Sequence, residues 1–247
     1  MRERGKQFNI ALAMANANPF VRAAADGIAR YGVQKGDWRF HAPRGVPEVS
    51  LADLKKWRGD GVIGMLDHAA IARLRKRGIA AVNVFGRFLD LPTTSVVVDN
   101  HGIGRMAAEY FIGNGVRRFA VTGRKVFGDA TLKHEAYIGA LSEQGFDCLE
   151  LKSRRTIQNI AAEIKRLAGA GPVGVLATED PVGRVVIDAC ADAGLRVPED
   201  VSVLGVNNDR FACEMLRPQM SSIELGAERV GSVSYTHLTL PTMLAQC

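Results

Sequence analysis

Short apolar, β-branched runs alternate along the chain with longer segments in which apolar residues return at helical spacing. That is the pattern of an α/β protein with parallel sheets. A first series places strands at Phe8–Met14, Trp38–His41, Gly61–Leu66 and Ala80–Phe85, with helices at Pro19–Tyr31, Leu51–Trp57 and Ala69–Arg77. After LPTTSVVVDN a second series follows. It reads as helix Gly102–Asn114, strand Arg118–Thr122, helix Leu132–Gln144, strand Cys148–Lys152, helix Ile157–Ala168, strand Val173–Ala177, helix Val182–Ala193 and strand Val201–Val206. Gly32, Gly78, Gly115, Gly145 and Gly194 each stand just past a periodic stretch, where a left-handed helix cap costs least.

Two such series predict two doubly wound parallel-sheet lobes with a ligand cleft between them, an N-terminal lobe over 8–95 and a C-terminal lobe over 96–209. Composition agrees with a large core or two ordinary ones, since 47% of the 247 residues are hydrophobic. The start MRERGKQFNIALAM has a short apolar stretch interrupted by Asn9 and no small-residue cleavage site, which reads against a secretory signal. No run approaches membrane-spanning length. Cys148, Cys190, Cys213 and Cys247 have neither metal-type nor redox-type spacing, which suits a reducing, cytoplasmic setting. A net charge of +6 would suit a nucleic-acid partner. The positive residues, however, fall in helical stretches such as LKKWRG and ARLRKRG, where a solvated face is their usual place, and no helix-turn-helix or zinc-finger pattern occurs.

In doubly wound sheets ligands bind beyond the carboxyl ends of the strands, so the residues just after each strand are the candidates. MANANPFVRA places Asn16, Asn18, Phe20 and Arg22 at the entrance to the first helix. Two amides, a ring and a guanidinium suit a polyol, and the alternative is an ordinary cap before Pro19. Asp99 and Asn100, which could equally be an N-cap, Asp180 beside Pro181 at another helix start, and the run Asn207, Asn208, Asp209 after VSVLGV occupy equivalent places. Lys133 and His134 either reach the cleft or face solvent. Carboxylates with adjacent amides suit a neutral, hydroxyl-rich ligand better than a phosphate, and neither GxGxxG nor GxxxxGK[ST] occurs. Dispersed histidines and the absence of GxSxG and HExxH speak against an enzyme, and no cofactor or metal site is expected.

The segments VVVDNHGIGRMAAEYF, RRFAVTG, LKHEAYIGALSEQGF, VLATEDPVGRVVIDACADAGLRVPEDVSVLGVNND and MSSIELGAERVG resemble the periplasmic-binding-protein type I fold as used by the lactose/galactose repressor family. The resemblance covers most of the chain from Asp99 to Gly231, and AGLRVPEDVSVLGVNND is its most specific part. Within that type the chain is similar to the xylose operon regulator group, which shares an Asn-rich loop like MANANPFVR. The resemblance implies a sugar sensor, with a monosaccharide of the pentose type as effector and operator DNA contacted by a homodimer through an arabinose-regulator-type helix-turn-helix lying C-terminal to this stretch. A transport-system sugar-binding protein is the alternative. The resemblance to the regulators implies ligand contacts at Asn16, Phe20, Arg22, Asp99, Lys133, Asp180 and Asn207. Asn207 stands where the family usually has Asp and Lys133 where it often has Arg, so the identity of the sugar does not carry across.

Residues 210–231 read as the crossover and the start of a helix, opening at SSIELGAERVG, that returns to the N-terminal lobe. After Gly231 helical period and resemblance both stop. The stretch Val233–Thr242 resembles a translated sequencing adapter, so 232–247 reads as a non-native tail that cuts the returning helix and uncovers the first lobe.

Overall fold

The computed structural model describes residues 7–14, 19–41, 52–123, 128–152 and 157–238. The chain divides into two compact units, the first drawn from the chain up to Val98 and again from Gly226 onward, the second running from Asp99 to Leu225. Each is built on an all-parallel, five-stranded sheet, the two-lobed α/β architecture that the alternation of apolar runs predicts.

In the first unit β1 (Phe8–Ala13), β2 (Trp38–His41), β3 (Gly61–Gly64), β4 (Ala80–Asn83) and β5 (Thr94–Ser95) take the order β2-β1-β3-β4-β5. Helices α1 (Pro19–Lys35) and α2 (His68–Lys76) connect them. In the second unit β6 (Arg118–Gly123), β7 (Cys148–Lys152), β8 (Val173–Ala177), β9 (Val201–Val206) and β10 (Ser221–Ile223) take the order β10-β9-β8-β6-β7. Around them lie α3 (Asn100–Gly113), α4 (Gly128–Glu143), α5 (Ile157–Ala168) and α6 (Asp180–Asp192). All five residues of β8 are buried, as a central strand covered on both faces requires. Val175, Ile164, Ile187 and Val203 meet in the core of this unit, and Val62, Ile71, Leu74 and Trp57 meet in a core cluster of the first.

Three expectations are corrected. The helix expected over Leu51–Trp57 is a single 3-10 turn, Asp53–Lys55, with Leu51 outside the described residues. The Arg77 guanidinium donates to the carbonyls of Leu54, Lys55 and Trp57, so a side chain from α2's end satisfies the acceptors at which the turn stops. Leu54 and Trp57 are still buried, which is why their spacing imitates a helix. The returning helix begins at Ala227 rather than at Ser221, because Ser221–Ile223 pair with Leu204–Val206 as an edge strand. It also runs past Gly231: this helix, α7 (Ala227–His237), continues through Ser232–His237 with Ser234 and Tyr235 buried. Tyr235 stacks on Trp38 at 3.7 Å between ring centroids and its hydroxyl donates to Asp37 at 2.6 Å. The first unit is therefore covered by α7 where the sequence suggested an exposed face.

Helices α1 and α7 meet almost backbone to backbone. A Cβ added to Gly231 would lie 2.0 Å from the Ala24 carbonyl oxygen, and one added to Gly27 would lie 2.1 Å from that of Glu228. No side-chain rotation relieves a clash with backbone. Gly231→Ala should therefore lower stability by about 1–3 kcal/mol, despite the ~1 kcal/mol that alanine gains over glycine in a helix. Gly113→Ala, whose Cβ would meet nothing within 4 Å at the end of α3, should be neutral or stabilising. Urea midpoints of the two variants test the contrast; equal losses would mean that the close approach does not govern.

Candidate functional site

Every strand in each sheet points the same way, so the residues following the strands gather at one pole of each unit. In the first unit this pole carries Phe20, buried and 6.3 Å from the Phe85 ring, and Arg22, which is exposed. Asn16 and Asn18 lie outside the described residues. Asn83, which sequence reasoning passed over inside an apolar strand, lies buried at the end of β4. Its Oδ1 accepts from the Leu66 backbone amide, while Nδ2 donates to the Phe85 carbonyl and the Ser95 hydroxyl. One buried amide thus ties together the ends of β3, β4 and β5.

In the second unit Asp180 does a comparable job with a charge. Its side chain is fully buried at the first residue of α6. Oδ2 accepts from the Asp209 backbone amide at 2.7 Å and Oδ1 from the Ser222 hydroxyl at 2.6 Å. Gly205 permits this approach, since a Cβ there would stand 2.2 Å from Oδ1. Burial pushes the carboxyl above its usual range, against the lowering effect of those hydrogen bonds. The carboxylate braces the segment in which Asn207 and Asn208 take left-handed φ of 110° and 52°. That conformation is tolerated by asparagine better than by most residues. The Asn207 amide donates to the Ile223 carbonyl, the Asn208 amide to Ser222 Oγ and Asn208 Nδ2 to Glu224.

Asp180 and the Asn207 turn are therefore brought together, whereas Asp99 and Lys133 act within their own helices. Asp99 caps α3, its Oδ1 accepting from the Gly102 amide at 2.8 Å. Lys133 is buried on α4 and pairs with Asp129 at 3.3 Å. One carboxylate leaves an ammonium with donor capacity unspent. Around the same pole, Thr122 at the end of β6, Thr178 just past β8 and Asn100 at the start of α3 each bury an oxygen without a hydrogen-bond partner among the described residues, as does Asp129 through Oδ1. Such orphaned groups cost ~1–3 kcal/mol each, a cost that a hydroxyl-bearing ligand reaching them would relieve. Thr122 and Thr178 were invisible in the sequence because threonine in an apolar run reads as a strand former.

The polar groups at the strand ends of each parallel sheet stand where ligands of doubly wound folds bind. The model of the periplasmic binding protein-like domain matches residues 108–239, more than half of the chain, and the chain belongs to that family. It is 26% identical over 199 residues to the probable HTH-type transcriptional repressor ExuR of Bacillus subtilis (strain 168), covering 76% of this chain and 59% of that protein. It is 24% identical over 232 residues to the xylose operon regulatory protein of Escherichia coli K12, covering 87% and 59%. The structure of the xylose-binding transcription activator xylR superposes with a TM-score of 0.77 at 20% identity, covering 98% of this chain and 65% of that one, a likeness of fold. The chain thus spans about three-fifths of the length of these two curated relatives.

The Asp180 environment fixes a sign. A carboxyl with a native pKa above its unfolded value of 3.8 contributes stability that is present below that value and lost as pH rises through the native one. Asp200 acts oppositely, its carboxyl held down at about 2 by Arg196. The clean readout is the difference between wild type and Asp180→Asn. Unfolding free energy of the wild type should fall relative to the variant as pH rises above about 4; parallel curves would remove Asp180 from the account.

Proposed function

We propose that this chain is the effector-binding part of a bacterial transcription regulator that senses a monosaccharide, preferentially a pentose of the xylose type. The observation that carries the proposal is Lys133: a buried ammonium whose one partner among the described residues is Asp129, itself with a carboxylate oxygen that has no partner among them, at the pole where ligands of this architecture bind. A neutral polyol offers both donors and acceptors to such a pair, which an apolar ligand would leave unsatisfied. Both the xylose operon regulator and ExuR are named as regulators of transcription, which supports the same role here.

On this reading the finer contacts come from Asp99, Lys133 and Asn207 in the second unit and from Asn16, Asn18, Phe20 and Arg22 in the first. Asp180 holds the Asn207 turn in shape. The longer protein would be a cytoplasmic homodimer that meets operator DNA through an arabinose-regulator-type helix-turn-helix. Effector binding would shift the population of its conformations by the difference in affinity for them.

A thermal-shift panel of monosaccharides tests the assignment, because a ligand that binds only the folded state raises the melting temperature, by about 2.7 kcal/mol of added stability at a hundred times its dissociation constant. D-xylose or a near pentose should raise it, and Lys133→Met, which keeps the stem and removes the donors, should abolish the rise. No shift with any sugar, or a shift that survives in Lys133→Met, would sink the assignment.

A further inference from the structure

At the opposite pole of the second unit, where the strands begin, a cavity of about 520 Å³ opens between the start of β6, the start of β7 and the end of α5. Its wall includes Arg117, Arg118, Arg166, Phe146, Asp147 and Cys148. At ~3.3 Å per residue, the six residues of β6 separate this place from the candidate sugar site.

The charge is one-sided: three guanidinium groups face a single carboxylate. Cys148 adds no negative charge, since burial pushes its thiol up to about 12 and keeps it neutral. Helices α3, α4 and α5 all end at this pole, and the partial negative charge of helix C-termini accounts for some of the cations. Arg117 is spent that way. It donates to the Ile112 and Val116 carbonyls at 3.2 and 2.8 Å and lies over the Phe146 ring at 5.8 Å. Arg118 and Arg166 are not: among the described residues neither side chain has a hydrogen bond or an ion pair. Arg118 is held half-buried against Gly171, where an added Cβ would stand 2.6 Å from its guanidinium.

We propose that this cavity is a second binding site, for a small phosphorylated metabolite, with the phosphate on Arg118 and Arg166 and the organic part along Phe146. Guanidinium forks match the oxygen spacing of a phosphate in a way that point charges do not. The volume lies within the ~300–1,000 Å³ of small-molecule sites, more than a bare anion fills. Phe146 is itself fixed by an edge contact to Phe119 at 5.2 Å, so the wall is preorganised. The proposal stands apart from the sugar reading, because none of its residues lies at the strand-end pole.

Isothermal titration of the intact chain with ribose 5-phosphate, AMP, ribose and inorganic phosphate is the test. Saturable one-to-one binding of ribose 5-phosphate or AMP is expected, tighter than that of inorganic phosphate. The dissociation constant should rise at least tenfold in Arg118→Gln/Arg166→Gln and stay unchanged in Lys133→Met, which separates it from any binding at the sugar site. Arg166→Gln alone, on an exposed face, serves if the double variant does not fold. Three outcomes would overturn the site: no binding of either organic phosphate, equal binding by wild type and variant, or organic phosphates no tighter than inorganic phosphate, which marks an adventitious ion only.

Discussion

All ten strands among the described residues lie in parallel sheets, and that constraint organises the rest of the described structure. A parallel neighbour is reached only by a crossover that carries the chain back to the starting pole, usually through a helix. The residues of each unit are thereby sorted into two sets, those that follow strands and those that precede them. Polar groups with hydrogen-bonding capacity collect in the first set, as with Lys133, Asp180 and Asn207. In the second unit guanidinium groups collect in the other set, as with Arg118 and Arg166. Neither collection requires neighbours in sequence, because topology does the gathering.

Within that frame each sheet places one buried polar side chain among its strand ends. Asn83 satisfies three partners with an amide and carries no charge. Asp180 satisfies an amide and a hydroxyl with a carboxylate and meets a desolvation cost that Asn83 avoids. The difference follows from what each must hold. Asn83 joins strand ends already in register, whereas Asp180 reaches the amide of Asp209 beyond two consecutive left-handed residues, a conformation with its own cost of order 1–3 kcal/mol each. A charged acceptor makes the stronger hydrogen bonds that such a turn needs.

Legibility in the sequence follows burial. The central strand Val173–Ala177 was readable to the residue because burial on both faces leaves an uninterrupted apolar run, and Val201–Val206 was readable because only the half-buried Ser202 breaks its run. The edge strands Thr94–Ser95 and Ser221–Ile223 were not, being short and largely polar, and Ser221–Ile223 was taken for the opening of a helix. The turn at Asp53–Lys55 was overread because two buried side chains three apart, Leu54 and Trp57, satisfy a helical period without a helix. Of the candidate site, the positions after the strands were legible while their roles were not. Asp180 takes its partners from residues 209 and 222, and no local pattern announces a hydrogen bond across that separation. Residues 232–237 lost the pattern of a helix in the sequence, yet Tyr235 found a stacking partner in Trp38, nearly two hundred positions earlier.

The α1–α7 contact also sets an order of events during synthesis. The second unit is one continuous stretch, so all its strands are available once Leu225 has left the ribosome. The first unit is interrupted by it, and α1 waits for its backbone-to-backbone partner until the whole intervening unit has been made. Closing so long a loop costs little once the intervening unit is compact, because its folding shortens the span that remains to be closed. Until then the Ala24–Ile28 face of α1 is open to solvent and to chaperones, and a nascent chain halted before Ala227 would present that face permanently.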